Sequence, residues 1–165
     1  MLFRSDINVP IYAGYSVGGV SQGAWNSYFI PFPDVQLIYQ FGLGPVSIGP
    51  GVRVFSVIIE NFLYPEVTAE FTMDKFVAYA GVGGFAFLEF GLISSLLQSA
   101  AGISTLTGFH NVVLSDIGAA LKLNDWFRVC GGVYIISPFD KTIGGLFENN
   151  VYAGYIDAKF TVTFK

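Results

Sequence analysis

Charge is scarce in this sequence. Lys, Arg, Asp and Glu make up 12% of its 165 residues, about half the roughly 25% of an ordinary soluble domain. A chain this poor in charge cannot cover a normal wetted surface. Basic residues are the scarcer sign, with 8 Lys and Arg against 12 Asp and Glu, a net charge of -4 and a pI near 4.7. Without a basic stripe the chain does not read as a nucleic-acid binder. The single Cys130 excludes an intrachain disulfide and any multi-cysteine metal site. Long apolar runs are missing too. The longest uncharged one, Phe76 to Leu88, falls short of the roughly 18 to 20 residues of a spanning helix, and Gly81, Gly83 and Gly84 disfavour helix within it. Met1 to Asp6 shows no apolar region after Arg4 and does not read as a signal peptide; the expectation is a mature chain.

Apolar residues are abundant: 53% of the chain is hydrophobic and 17% aromatic, with a mean hydropathy of +0.58. They recur at every second position. From Tyr152 to Phe164 one face reads Tyr152, Gly154, Ile156, Ala158, Phe160, Val162 and Phe164, and the other Ala153, Tyr155, Asp157, Lys159, Thr161 and Thr163. A strand sends alternate residues to opposite sides, so this segment separates an apolar solvent from a polar one. The same alternation predicts eight strands, at approximately 8-19, 34-41, 46-59, 64-73, 76-90, 110-123, 126-137 and 151-164. Pro50 predicts a bulge in the third. Glu60 falls on the apolar parity of that strand, so the strand must end, or its register slip, before it.

The connections predicted between these strands alternate in length. Longer ones cover approximately 20-33, 60-63, 91-109 and 138-150, and tight ones Gly42 to Pro45, Asp74-Lys75 and Asn124-Asp125. Leu92, Ile93, Leu96 and Leu97 have the spacing of a short amphipathic helix. Arg53, Glu70, Asp116, Lys122, Arg128, Asp157 and Lys159 all lie opposite the aliphatic face of their own strands. A soluble barrel would turn these charges outward and leave their scarcity unexplained. In lipid the apolar parity faces out, the charges pair inside, and a closed barrel satisfies every backbone group. The expected fold is therefore all-β: a transmembrane up-and-down antiparallel β-barrel of eight strands, one domain over 1-165.

The chain resembles the small eight-stranded bacterial outer-membrane barrels of the OmpA, OmpX and OmpW kind, most of all the OmpW type. Ile156, Ala158, Phe160, Val162 and a closing aromatic, Phe164, are similar to the C-terminal signal of such barrels, although Lys165 follows. The resemblance implies a bacterial outer-membrane location, a lipid surround, a monomer, insertion by the outer-membrane assembly machinery through the last strand, and long loops facing outward. No cofactor is expected.

Two constellations stand out as candidate sites. The first is the lumen charge network of Arg53, Glu70, Asp116, Lys122, Arg128, Asp157 and Lys159. It reads as a salt-bridged plug or as a polar gate. Gly14, Gly18, Gly49, Gly51, Gly81, Gly83, Gly118, Gly132 and Gly154 are placed with it and leave room. The second is a possible ligand mouth of Trp25, Tyr28, Phe29, Leu96, Leu97 and Phe109 in the loops. It reads as interface packing or as an entrance for small hydrophobic or amphipathic solutes. No metal site and no catalytic residue is expected. Ser115 and Asp116 follow the lone His110, but Ser115 lies an odd number of residues away and faces the other side. The leading function is a narrow channel or binding barrel for such solutes. The alternatives are a non-conducting structural or surface-interaction barrel and a lipid-modifying enzyme.

Overall fold

Strands dominate because the apolar residues alternate and turn-forming residues punctuate them. The computed structural model describes residues 7–21, 30–57, 60–101, 107–138 and 150–164. Along these run β1 (Ile7–Ser21), β2 (Ile30–Ile38), β3 (Gln40–Leu43), β4 (Val46–Val57), β5 (Glu60–Met73), β6 (Phe76–Gly91), helix α1 (Leu92–Ala101), β7 (Gly108–Lys122), β8 (Phe127–Pro138) and β9 (Val151–Phe164). Every pairing is antiparallel between neighbours, and β1 pairs with β2 and β3 on one side and with β9 on the other. The sheet therefore closes on itself, and none of the described strands is left as a free edge. No helix among the described residues is long and apolar enough to cross a membrane. The strands from β4 onward are 12 to 16 residues long, more than the roughly 9 to 11 a tilted spanning strand needs.

β2 and β3 form one stave, which makes the barrel eight-staved. The register on β4 is the same on both sides of the break, Ile38↔Gly51 before it and Phe41↔Ile48 after it. The cause lies on the neighbouring strand. Tyr39 donates its N–H to the Pro50 carbonyl at 2.9 Å, but Pro50 has no N–H to return to Tyr39. The Tyr39 carbonyl then comes so close to Gly49 that a Cβ there would lie 1.9 Å from it. The bulge expected at Pro50 is thus a missing hydrogen bond without a register slip.

Two irregularities lie elsewhere, both on β6. Its ladder to β5 shifts between Leu63 and Glu66, and its ladder to β7 shifts between Gly84 and Ala86. At the second, Gly84 (φ 107°) and Phe85 (φ 64°) take left-handed backbone. This turns Phe85 outward and buries Gly84, against the strict alternation that sends Phe85 inward.

Other boundaries differ from the sequence expectation. Residues 60–63 are not a loop: β4 ends at Val57, β5 begins at Glu60, and only 58–59 connect them. Glu60 belongs to the inward parity of β5 with Tyr64, Glu66, Thr68 and Glu70, and is buried. Residues 91–109 include α1 and the first residues of β7, which starts at Gly108. Trp126 precedes its strand. Gly154 lies on the outward face of β9, not with the interior glycines.

The outward parity forms a continuous apolar belt: Val35, Leu37, Ile48, Val52, Val67, Val82, Ile117, Val133 and Ile156 are all exposed. Exposed aromatics bound it. Phe41, Phe71, Phe76, Trp126 and Phe160 sit toward the tight turns, where Trp126 stacks on Phe160 at 5.8 Å. Phe85, Phe90 and Phe109 sit toward α1. An exposed apolar band between two aromatic girdles is the exterior of a transmembrane barrel.

Candidate functional site

The lumen is organised by Arg53. It follows Gly49 and Gly51 on the inward parity of β4 and is 1% exposed. Its side chain crosses the barrel. Nη1 donates to Asp116 Oδ2 at 3.0 Å, and Nη2 donates to Asp34 and to the Tyr134 hydroxyl. Glu66 Oε2 lies 3.8 Å away, and the guanidinium sits over the Tyr134 ring at 4.6 Å. A planar fork of donors serves several acceptors in this way, which a lysine ammonium does not match.

The other charges attach around this centre. Tyr134 stacks on Tyr155 at 4.4 Å. Tyr155 donates to Asp116 Oδ1 at 2.5 Å and shares a hydrogen bond with Tyr79 at 2.6 Å. Arg128 Nη1 donates to Glu70 Oε1 at 2.9 Å. Lys159 Nζ lies 3.3 Å from Asp157 and 3.7 Å from Asp34, and donates to Gln36 Oε1 at 3.2 Å. Gln36 passes the link on by donating to Glu66 at 3.0 Å. Three cations thus stand among five carboxylates, Asp34, Glu66, Glu70, Asp116 and Asp157, all buried. Buried charges of both signs persist because each is paired or hydrogen-bonded.

Six of the seven residues singled out for the lumen enter this network. Lys122 shares the inward parity but is half-buried at the tight-turn end of β7, and it makes no ion pair with another described residue. Asp34, Gln36, Glu66 and the tyrosines Tyr79, Tyr134 and Tyr155 were not singled out. Parity alone carried the signal for them: each lies opposite the apolar face of its strand.

The inward glycines give the tyrosine rings their place. Tyr79 faces Gly118 across the β6–β7 ladder, and Tyr155 faces Gly132 across β8–β9. A Cβ at Gly118 would lie 2.5 Å from the Tyr79 hydroxyl, and one at Gly132 would lie 2.6 Å from that of Tyr155. The rings lie over the glycines and occupy the lumen beside them. The cavity left between Gln36, Thr68, Glu70, Tyr79, Asp116, Arg128 and Lys159 holds about one water molecule.

Toward α1 the lumen changes character. Tyr64, Phe87 and His110, from β5, β6 and β7, make an aromatic tier with ring centres 6.0 and 6.3 Å apart. Phe87 and His110 are half-exposed, and His110 Nε2 itself is buried with no hydrogen-bond partner among the described residues. Ser115 lies on the other face of β7 from His110, and Asp116 is held by Arg53 and Tyr155. Cys130 is a single buried thiol packed with Tyr155 and Tyr134. Among the described residues no group of His, Cys, Asp or Glu side chains is arranged to hold a metal ion.

Of the residues expected at a mouth, Leu96 and Phe109 have described side chains, and both are exposed. Phe109 is on the outward parity of β7 and 90% exposed, because β7 begins before it and alternation sends its neighbour His110 inward. Leu96 is exposed, while Ser94 of the same helix is buried. Trp25, Tyr28, Phe29 and the side chain of Leu97 lie outside the described residues.

No protein-family model matches the chain, and no curated protein sequence matches it. Several solved structures resemble it in shape. Neisserial surface protein A shares 13% identity over 98% of this chain and 99% of its own, with a TM-score of 0.48. The attachment invasion locus protein Ail of Yersinia pestis shares 13% identity over 95% and 99%, at 0.45. A barrel from the de novo design of transmembrane β-barrels shares 12% over 93% and 95%, at 0.48. The closed ladder, the apolar exterior and the polar lumen are the chain's own, and they make it a small transmembrane β-barrel of the outer-membrane type.

Proposed function

We propose that the chain is a binding barrel of a diderm bacterial outer membrane, closed through its middle, which takes small hydrophobic or amphipathic solutes at its loop end. The observation that carries this reading is the step in polarity along the lumen. An aromatic tier, buried Tyr64 with half-exposed Phe87 and His110, stands above a charged floor whose cavity has space for about one water. The rings offer apolar surface and the half-exposed His110 imidazole adds a polar group beside it, the usual composition of a small-molecule site. The filled floor favours binding over conduction. On the same reading the barrel is a monomer in lipid, its loop end faces outward, and the assembly machinery engages its last strand.

Two measurements test it. Reconstituted in a planar bilayer, the full chain should give no stepwise conductance. In nanodiscs it should bind a soluble medium-chain alkyl amphiphile saturably, and Phe87→Ala should weaken that binding about tenfold, equivalent to ~1.4 kcal/mol. Stable conductance overturns the closed floor in favour of a narrow channel. Absence of saturable binding, in a protein that still shows the gel-mobility shift of a folded barrel, overturns the ligand reading in favour of a surface-interaction barrel.

A further inference from the structure

We infer that α1 is a membrane-surface helix whose Leu92–Leu96 edge lies in the lipid leaflet at the loop end of the barrel. Among the described side chains of α1, Ser94 is buried and Leu92 and Leu96 are exposed. Ser94 faces the protein, and its N–H donates to Glu60 Oε2 at 3.2 Å. Leu92 and Leu96 face away, at 61% and 64% exposure. Positions four apart share one helix edge, so the two leucines form a single apolar strip. The ten residues of α1 carry no charge.

The strip continues an interface already described. Leu88 and Phe90 are the last outward residues of β6 before Gly91 leads into α1, and both are exposed in the apolar belt. Phe109 stands at the same level on β7, where Ala86 pairs with it, and is turned to the same side. α1 packs on β5 and β6, so it rests on the rim beside this column. An exposed apolar strip that runs on from the lipid-facing belt fits acyl chains and the headgroup boundary, the setting of interfacial amphipathic helices. Ser95 and Ser99, also exposed, lie on the adjoining strip and face the headgroups and water. The inference rests on the membrane-spanning barrel alone, so it stands or falls apart from ligand binding at the aromatic tier.

Spin labelling of the full chain in lipid vesicles tests it. Leu92→Cys, Leu96→Cys and Ser95→Cys are each made with Cys130→Ala, and Ile117→Cys gives a lipid-facing reference on the outward face of β7. All four target positions are exposed, so labels there leave the barrel intact, as the gel shift checks. Labels at positions 92 and 96 should collide more with oxygen than with a water-soluble nickel chelate, as at 117. The label at 95 should show the reverse order. If positions 92 and 96 read like 95, the strip faces water and the inference fails. If they read as shielded from both reagents, a protein segment covers the strip, and the inference fails in that case too.

Discussion

Replacing Arg53 with methionine isolates what the lumen network contributes. Methionine keeps the length and apolar stem of the side chain and deletes the fork. Asp116 and Asp34 then lose their guanidinium donors, and Tyr134 loses both a hydrogen-bond partner and a cation over its ring. Arg53 is 1% exposed, so this is a buried pair, and removing one partner of such a pair costs about 3–5 kcal/mol. With a urea dependence of roughly 2 kcal/mol per molar for a chain of this size, the unfolding midpoint in lipid vesicles should drop by about 1.5–2.5 M. Adding Asp116→Asn to Arg53→Met removes one stranded charge and should recover at least ~1 kcal/mol, a coupling expected of groups in direct contact. Arg53→Lys should fall between, since one ammonium cannot reach all the acceptors. The gel-shift midpoint reads all three. A midpoint for Arg53→Met within about 0.25 M of the parent would refute the reasoning and mean that lumen water solvates the carboxylates as well as the guanidinium does.

Two further substitutions test other parts of the structure. Gly132→Ala drives a methyl to 2.6 Å from the Tyr155 hydroxyl and from the Ile117 carbonyl, whereas Gly131→Ala meets nothing nearer than 3.7 Å. The first should cost about 1–3 kcal/mol and the second under ~0.5 kcal/mol in the same titration, and equal effects would contradict ring-over-glycine packing. Glu60→Gln keeps an acceptor for the Ser94 N–H but removes a carboxylate bonded to the first turn of α1, which carries no acid of its own. Amide exchange at Ser94 should quicken about two- to five-fold, the equivalent of the ~0.3–1 kcal/mol of a charge at a helix N-terminus, and unchanged exchange would remove Glu60 from that role.

Alternation made the faces legible. Val35, Leu37, Tyr39 and Phe41 announce a lipid side, and the charge of Asp157 and Lys159 announces a lumen side, because a strand has period two whatever it pairs with. Partners were not legible, because they depend on how strands stagger around a closed sheet. Arg53 meets Asp34 from 19 residues before it and Asp116 from 63 after it, and no local pattern encodes those separations. The gap at Tyr39 arises from a proline on another strand. Glu60 misled because the two-residue connection at 58–59 resets parity, and Phe85 misled because left-handed backbone at Gly84 and Phe85 breaks it. Phe109 left the expected mouth on a single boundary: with β7 starting at Gly108 and not at His110, it becomes a strand residue and points to lipid.

The seam where the first and last strands meet has a kinetic consequence. Rungs from Val9↔Phe164 to Ser21↔Tyr152 join segments at opposite ends of the chain, and Lys159 reaches Gln36 across 123 residues of sequence. Contacts this distant form only after the whole intervening chain is in place, since the loop-closure entropy must be overcome first. Until then Lys159 lacks its partners on β2, and an open sheet in lipid leaves two unsatisfied edges. Neither defect can be repaired alone. The barrel should therefore shut in one late cooperative step, its unfinished lumen kept hydrated until the ends meet.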